Sequence, residues 1–376
     1  MSRLSDLGAR LQSGEQSFDI VGNRKKFFIA SLILLAISGL GLGFRGLDRG
    51  VEFKGGTVFQ TKAQGLSVAD VRGAVEDAGA KEPKVQKVGA DSVRVEISAT
   101  SIKEADPVKQ ALSKKLGIPA EDITEQTVGS SWGSDITHKA VKSLIIFLAL
   151  LAIYLGIVFE WKLAVGALVA LVHDVAITTG IYAVVGFTVS PATVIGLLTI
   201  LGYSLYDTVV VYDKLRENTK NLTNSNRYTY TGAANLAVNQ TLVRSINTSL
   251  IALLPVAGLL FVGAGLLGAG VLKDLALVLF VGMAIGAYSS IFIATPIAAA
   301  MKEREPEMQA LAKRVALRQA AGKDAKAAVD ASDGNEVGGE GVGAGATVAR
   351  PAGPPPGERL QPKRNVPRAD RRPGQK

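Results

Sequence analysis

The sequence predicts a polytopic α-helical membrane protein with six spans and one folded α+β domain outside the membrane between the first two. Three observations predict it. Hydrophobic residues make up 48% of 376 and mean hydropathy is +0.26, a balance that leans towards a membrane protein. Several uncharged runs are long enough to cross a bilayer. The long polar interruption, Arg45 to Lys139, has nearly balanced charge and apolar residues at strand and helix periods.

Composition also excludes chemistry. With no cysteine there is no disulfide, thiol nucleophile or cysteine-ligated zinc, and two histidines, His138 and His173, make a multi-histidine metal site unexpected. No cofactor, metal or catalytic residue is implied. Basic residues are abundant at the two ends of this +9 chain, where anionic membrane lipid explains them, so no nucleic-acid partner is expected.

Residues 1–26 are polar and end in Arg24, Lys25 and Lys26, which by the positive-inside rule keeps the amino terminus cytoplasmic. The first span, 27–44, has no A-x-A-like cleavage site after it and is read as retained. Within 45–139, Gly56–Lys62 alternates like a strand and Ser67–Ala78 is a serine-capped helix. Lys84–Val88 and Ser92–Ile97 read as strands joined at Gly89-Ala90-Asp91, Asp106–Leu116 as a helix and Asp122–Val128 as a strand. That order is ferredoxin-like.

Spans two to six occupy 140–300. Val141–Phe159 turns at Glu160-Trp161-Lys162 into a third span ending near Gly186, and Pro191 opens the fourth. A cytoplasmic connector at 213–245 includes an amphipathic helix from Thr231, and the fifth span is placed at about Ile246–Phe261, before GAGLLGAG. Leu275–Ala300 is the sixth. Residues 301–376 form a cytoplasmic tail, largely disordered from about 321, being rich in Gly, Ala, Pro and charge.

Two acids stand inside these spans. An ionised carboxylate at mid-membrane costs about 2.5–3.5 kcal/mol on insertion scales, so function is the default reading for Asp207 in the fourth span and Asp174 in the third. Gly196, Thr199 or Ile200, Tyr203 and Asp207 recur at helical spacing and form one small, polar face, with Leu197, Leu198, Leu201 and Leu205 covering much of the rest. Burial raises a carboxyl's proton affinity and a nearby arginine lowers it, an opposition that suits a reversible proton carrier. Arg244, at the start of the fifth span, is the candidate arginine, although snorkelling to the surface also explains it. His173 is equally well read as a packed or lipid-edge residue. Asp213 begins a charge cluster that belongs in water.

YDTVVVYDKLREN (Tyr206–Asn218), NQTLVRSINTSL (Asn239–Leu250), HDVAIT (His173–Thr178) and GVEFKGGT (Gly50–Thr57) together resemble the SecF family of bacterial Sec translocase subunits, in matching order over roughly Phe18 to Ala300. The first two motifs are specific; GVEFKGGT alone is weak. The resemblance implies a six-span half of an RND-type transporter that pairs with SecD, a similar half, and works beside the SecYEG channel and the SecA motor. Together they would use the proton-motive force to promote export of a translocating polypeptide across the bacterial plasma membrane, with no enzymatic step. It carries the proton pathway onto Asp207 and Arg244, with Asp174 in the family's His-Asp motif. Tyr206, Tyr203, His173 and Asp213 would surround that pathway. Glu52 stands where the family's motif has aspartate and Tyr206 where asparagine is common. Gly50, Glu52, Gly55 and Gly56 would shape the hinge into the outer domain, glycine permitting backbone angles that other residues avoid.

An intramembrane aspartyl protease is the rival from another class, since Asp174 and Asp207 on neighbouring spans resemble an acid dyad. Such proteases carry a G-x-G-D motif, and none occurs here. A scaffold without proton coupling leaves both acids unexplained.

Overall fold

The computed structural model describes residues 10–11, 16–62, 67–88, 92–266 and 270–333. Residues 1–321 form one unit, and of the unit from Gly322 onward only the helix continuing to Asp333 is described. Six helices are long and apolar enough to cross a membrane. They are α1 (Arg24–Phe44), α5 (Ser130–Val158), α6 (Trp161–Val185), α7 (Pro191–Thr219), α9 (Tyr230–Gly258, continuing as a π-helix over Leu259–Leu266) and α10 (Gly270–Ser289). The last passes through a π turn, Ser290–Ala294, into α11 (Thr295–Lys302). A short helix α8 (Leu222–Ser225) lies between α7 and α9, and α12 (Pro306–Asp333) follows.

The elements between α1 and α5 follow the pattern of the sequence. After strand β1 (Asp48–Arg49) and the short helix α2 (Val51–Lys54) come β2 (Gly56–Lys62), α3 (Val68–Asp77), β3 (Lys84–Val88), β4 (Ser92–Ile97), α4 (Ile102–Leu116) and β5 (Thr124–Val128). Ser67 caps α3 in a reciprocal box with Asp70, and Gly117 ends α4 with a positive φ of 66°. The sheet order is β3-β4-β2-β5, every neighbour antiparallel, with Phe59 of β2 opposite Val95 and Glu125. Strand alternation puts Phe59, Val85, Val93 and Val95 into one core with Val71 and Val75 of α3 and Val108 and Leu112 of α4. The expected joint at Gly89-Ala90-Asp91 lies outside the described residues.

Two contacts tie this domain to the helices. β1 pairs in parallel with β6 (Thr188–Val189), in the turn between the third and fourth spans, and Lys84 of β3 pairs with Asp48 while donating to Thr188 Oγ1 at 2.7 Å. In the helical part the third, fourth and sixth spans are half buried, while the first, second and fifth turn most of their apolar surface outward, as lipid-facing helices do. Small residues let them close up: a Cβ on Gly180 would lie 2.0 Å from the Ser38 side chain, and one on Gly286 3.0 Å from Ser204 Cβ.

Boundaries depart from expectation in four places. The second helix begins at Ser130 rather than Val141, because its polar first turns rest on α2; a Cβ on Gly133 would come 2.8 Å from the Phe53 carbonyl. Trp161 opens the third span instead of lying in the turn. The connector helix and the fifth span are one continuous helix from Tyr230, so no break precedes Ile246. α12 runs to Asp333, into the start of the stretch expected to be largely disordered from about 321, its Ala-rich sequence favouring helix; residues 334–376 lie outside the described residues.

Candidate functional site

Asp174 and Asp207 lie near the middle of their helices, 1% and 5% exposed. Among the described residues no lysine or arginine pairs with either. Asp174 Oδ2 accepts from Ser204 Oγ of α7 at 2.6 Å and from Ser289 Oγ of α10 at 2.8 Å, and its Oδ1 is 3.3 Å from His173 Nδ1. Asp207 Oδ1 accepts from Ser245 Oγ of α9 at 2.6 Å, and its Oδ2 from Ser290 Oγ of the π turn at 2.5 Å. Four serines from three helices thus supply the donors that solvent would supply in water, as buried carboxylates require. Consecutive residues of the sixth span serve the two acids.

The π turn has its own support. Tyr212, fully buried in α7, donates from its hydroxyl to the Ala294 carbonyl at 3.1 Å, and Gly166 of α6 leaves room for that contact. Widening a helix by one residue alters its i→i−4 ladder, and a buried carbonyl there needs another donor. His173 stacks on Tyr288 with ring centroids 6.3 Å apart, and its Nε2 has no hydrogen-bond partner among the described residues. The histidine is therefore packed inside the bundle.

The other sequence candidates separate. Arg244 is exposed and does not reach Asp207; it lines an open cleft of about 530 Å³ with Lys214, Gln240 and Asn247. Successive helical side chains diverge by about 100°, so with Ser245 turned to the acid Arg244 turns away. The same geometry puts Tyr206 54% exposed beside buried Asp207. Tyr203 donates to the Thr248 carbonyl at 2.8 Å, and Asp213 is exposed. Thr199 faces outward, while Leu197, Leu201 and Leu205 are buried with Gly196 and Ile200, so the inward face is wider and more apolar than its polar positions suggested. The four serines were not foreseen. A tandem pair of hydroxyls in an otherwise apolar span was the available signal.

The glycine motif forms the junction below the sheet. Gly50 precedes α2, Gly55 has φ +82° and Gly56 φ +143°, and a Cβ on Gly56 would lie 2.5 Å from the Ile97 carbonyl. Only glycine fits there without strain. Glu52 Oε1 is 3.6 Å from Arg94, which also donates to Glu96 at 3.0 Å. Burial raises the Glu96 carboxyl above its ordinary range, opposed by Arg94. Among the described residues no cluster of three or more His, Asp or Glu side chains is arranged to hold a metal ion.

Six spans closed around two buried acids define a polytopic membrane protein organised about intramembrane carboxylates. Comparison with known proteins makes this specific. The family described as protein export membrane protein SecD/SecF, C-terminal, matches residues 108–304. Protein translocase subunit SecF of Streptomyces coelicolor is 54% identical over 86% of this chain and 87% of its own, and that of Mycobacterium tuberculosis 41% identical over 87% and 77%. The crystal structure of SecDF from Thermus thermophilus superposes with a TM-score of 0.68 at 32% identity, covering 77% of this chain and 39% of that one, so the chain spans about two fifths of SecDF. The chain belongs to the SecD/SecF family of protein export membrane proteins, as a multi-pass membrane subunit similar to SecF.

Proposed function

We propose that the chain is the SecF half of an accessory export machine that uses the proton-motive force to promote movement of polypeptides after SecA has driven them into SecYEG. It performs no enzymatic step. The observation that carries the reading is the pair of buried acids, each held by neutral hydroxyls instead of a fixed cation. A carboxylate so held keeps hydrogen bonds in both its charged and neutral forms, since a hydroxyl donates or accepts. Asp207 and Asp174 are the proton carriers in this reading, with His173 beside Asp174.

Arg244 takes part through the partner. An arginine left exposed on the fifth span is explained if a second half covers the cleft that it shares with Lys214, and a Thermus thermophilus relative named SecDF, of which this chain covers 40%, supports SecD as that half. The sheet order β3-β4-β2-β5 is that of a ferredoxin-like domain, lying outside the cell membrane with both termini cytoplasmic. The Gly50–Gly56 junction is its hinge. Contacts with SecYEG, SecA, lipid and the translocating polypeptide complete the proposal.

The test is export in a strain whose only copy carries Asp207→Asn, with and without an uncoupler, once insertion and partner binding are verified. Export slowed to the uncoupled level and indifferent to the uncoupler is expected. Unchanged, uncoupler-sensitive export would move the proton path elsewhere.

A further inference from the structure

We propose that Ser289 and Ser290 are positioning residues that couple the protonation of Asp174 to that of Asp207, so that protonation of one acid makes protonation of the other harder and the two load in sequence. The proposal rests on the proton-carrier reading above. Adjacent Cα atoms are about 3.8 Å apart, and these two residues hold one acid each, Ser289 at 2.8 Å from Asp174 Oδ2 and Ser290 at 2.5 Å from Asp207 Oδ2. Both serines are fully buried, so no water competes for the hydroxyls.

Each hydroxyl has a second acceptor within reach. Ser289 Oγ is 3.2 Å from the Gly286 carbonyl and Ser290 Oγ 3.3 Å from the Ala287 carbonyl. When a carboxylate is ionised, its serine points the hydroxyl hydrogen at it. When the acid is neutral, the carboxyl proton is donated to the serine oxygen and the hydroxyl hydrogen turns to the carbonyl one turn back. The bond between serine and acid is kept in both states, yet the serine changes from donor to acceptor towards the acid. Ser290 is also the first residue of the π turn, which Tyr212 supports through Ala294. A π turn is a local insertion in the α-helical ladder, so a changed pull on Ser290 is passed to its neighbour Ser289 and thence to Asp174.

Titratable neighbours are few. His173 lies beside Asp174, Tyr288 of the sixth span stacks on His173 with its hydroxyl 3.2 Å from Ser31 of the first span, and Tyr203 stands one turn from Asp207. From the fifth span Arg244 faces the open cleft instead. Among the described residues no other titratable side chain forms a hydrogen bond or ion pair with either acid.

The test follows the infrared carboxyl band of Asp207, assigned by its loss in Asp207→Asn, as pH is lowered on the full chain in lipid nanodiscs. Ser289→Ala touches only Asp174, leaving that acid short of a donor and neutral up to higher pH. Its repulsion of Asp207 then disappears, and the Asp207 band appears at a pH lower by roughly one unit. Ser290→Ala, which removes a donor from Asp207 itself, moves the band the other way, and Ser289→Thr keeps the wild-type position. Asp174→Asn gives the same downward displacement and serves if Ser289→Ala does not fold. An Asp207 band that Asp174→Asn displaces but Ser289→Ala leaves in place overturns the role of the serines, and a band unmoved by both overturns the coupling itself. A wild-type chain in which no Asp207 band ever appears overturns the proton-carrier reading itself, a distinct result.

Discussion

Tyr212→Phe removes one oxygen from the interior of the bundle and nothing else. The ring is fully buried and meets Phe159 edge-on at 5.5 Å, a contact that phenylalanine retains, so no cavity beyond the hydroxyl's own volume opens. What is lost is the donor to the Ala294 carbonyl at 3.1 Å. Hydrogen bonds inside membrane bundles average about 0.6 kcal/mol and reach about 1.7, whereas a buried acceptor left unsatisfied costs about 1–3. We therefore expect a loss of about 1–2 kcal/mol, or roughly 5- to 30-fold in the folded-to-unfolded ratio. Reversible unfolding by steric trapping in lipid reads that loss, and amide hydrogen exchange should rise locally over Ser290–Ala294. Gly166→Ala attacks the same contact from α6, because its Cβ would lie 2.7 Å from the Tyr212 hydroxyl and 2.8 Å from the Ala294 carbonyl. Wild-type stability with unchanged exchange in Tyr212→Phe would mean that the carbonyl finds another donor and that the π turn does not depend on Tyr212.

Gly56→Ala should destabilise the α+β domain by about 1–3 kcal/mol through its positive φ, with the approach of the Ile97 carbonyl adding to the strain, while Gly73→Ala, facing open space in α3, should not destabilise; limited proteolysis of the full chain separates them. Burial alone would raise the Glu305 carboxyl, but hydrogen bonds from Lys162 and Lys302 outweigh it and hold it below its ordinary value of 4.5. An acid lowered in the folded state contributes stability that is present above 4.5 and lost as pH falls through the lower folded value, so thermal denaturation should show that loss on acidification and Glu305→Gln should abolish it. Glu96 has the opposite sign: burial raises it, so its contribution weakens the domain as pH rises above 4.5, and Glu96→Gln should remove that pH dependence in the same denaturation series.

Much of the architecture was legible because its signals are periodic. β2, β3 and β4 fall on the residues where alternation put them, and α3 starts beside the serine expected to cap it. The acids announced themselves by cost alone, since a carboxylate in an apolar helix has few explanations. Their partners did not, because a lone serine in a membrane helix usually bonds its own backbone, as Ser289 and Ser290 also do. Choosing between Arg244 and Ser245 needed the rotation of the fifth span about its axis, which a one-residue difference decides and which this apolar pattern fixes weakly. The helix start at Ser130 was misjudged because polar residues continue the helix beyond its apolar run, whereas the helix expected from Thr231 starts at Tyr230 but runs on unbroken into the fifth span.

Proton flux is the most direct measurement of the proposed chemistry. The chain, reconstituted with the SecD half proposed as its partner in vesicles that enclose a pH-sensitive dye, should pass protons down an imposed gradient. Asp207→Asn should abolish the flux, and Ser290→Ala should displace its pH profile without abolishing it. A flux through Asp207→Asn equal to that of the wild-type chain, in vesicles holding the same amount of complex, would contradict proton carriage by Asp207.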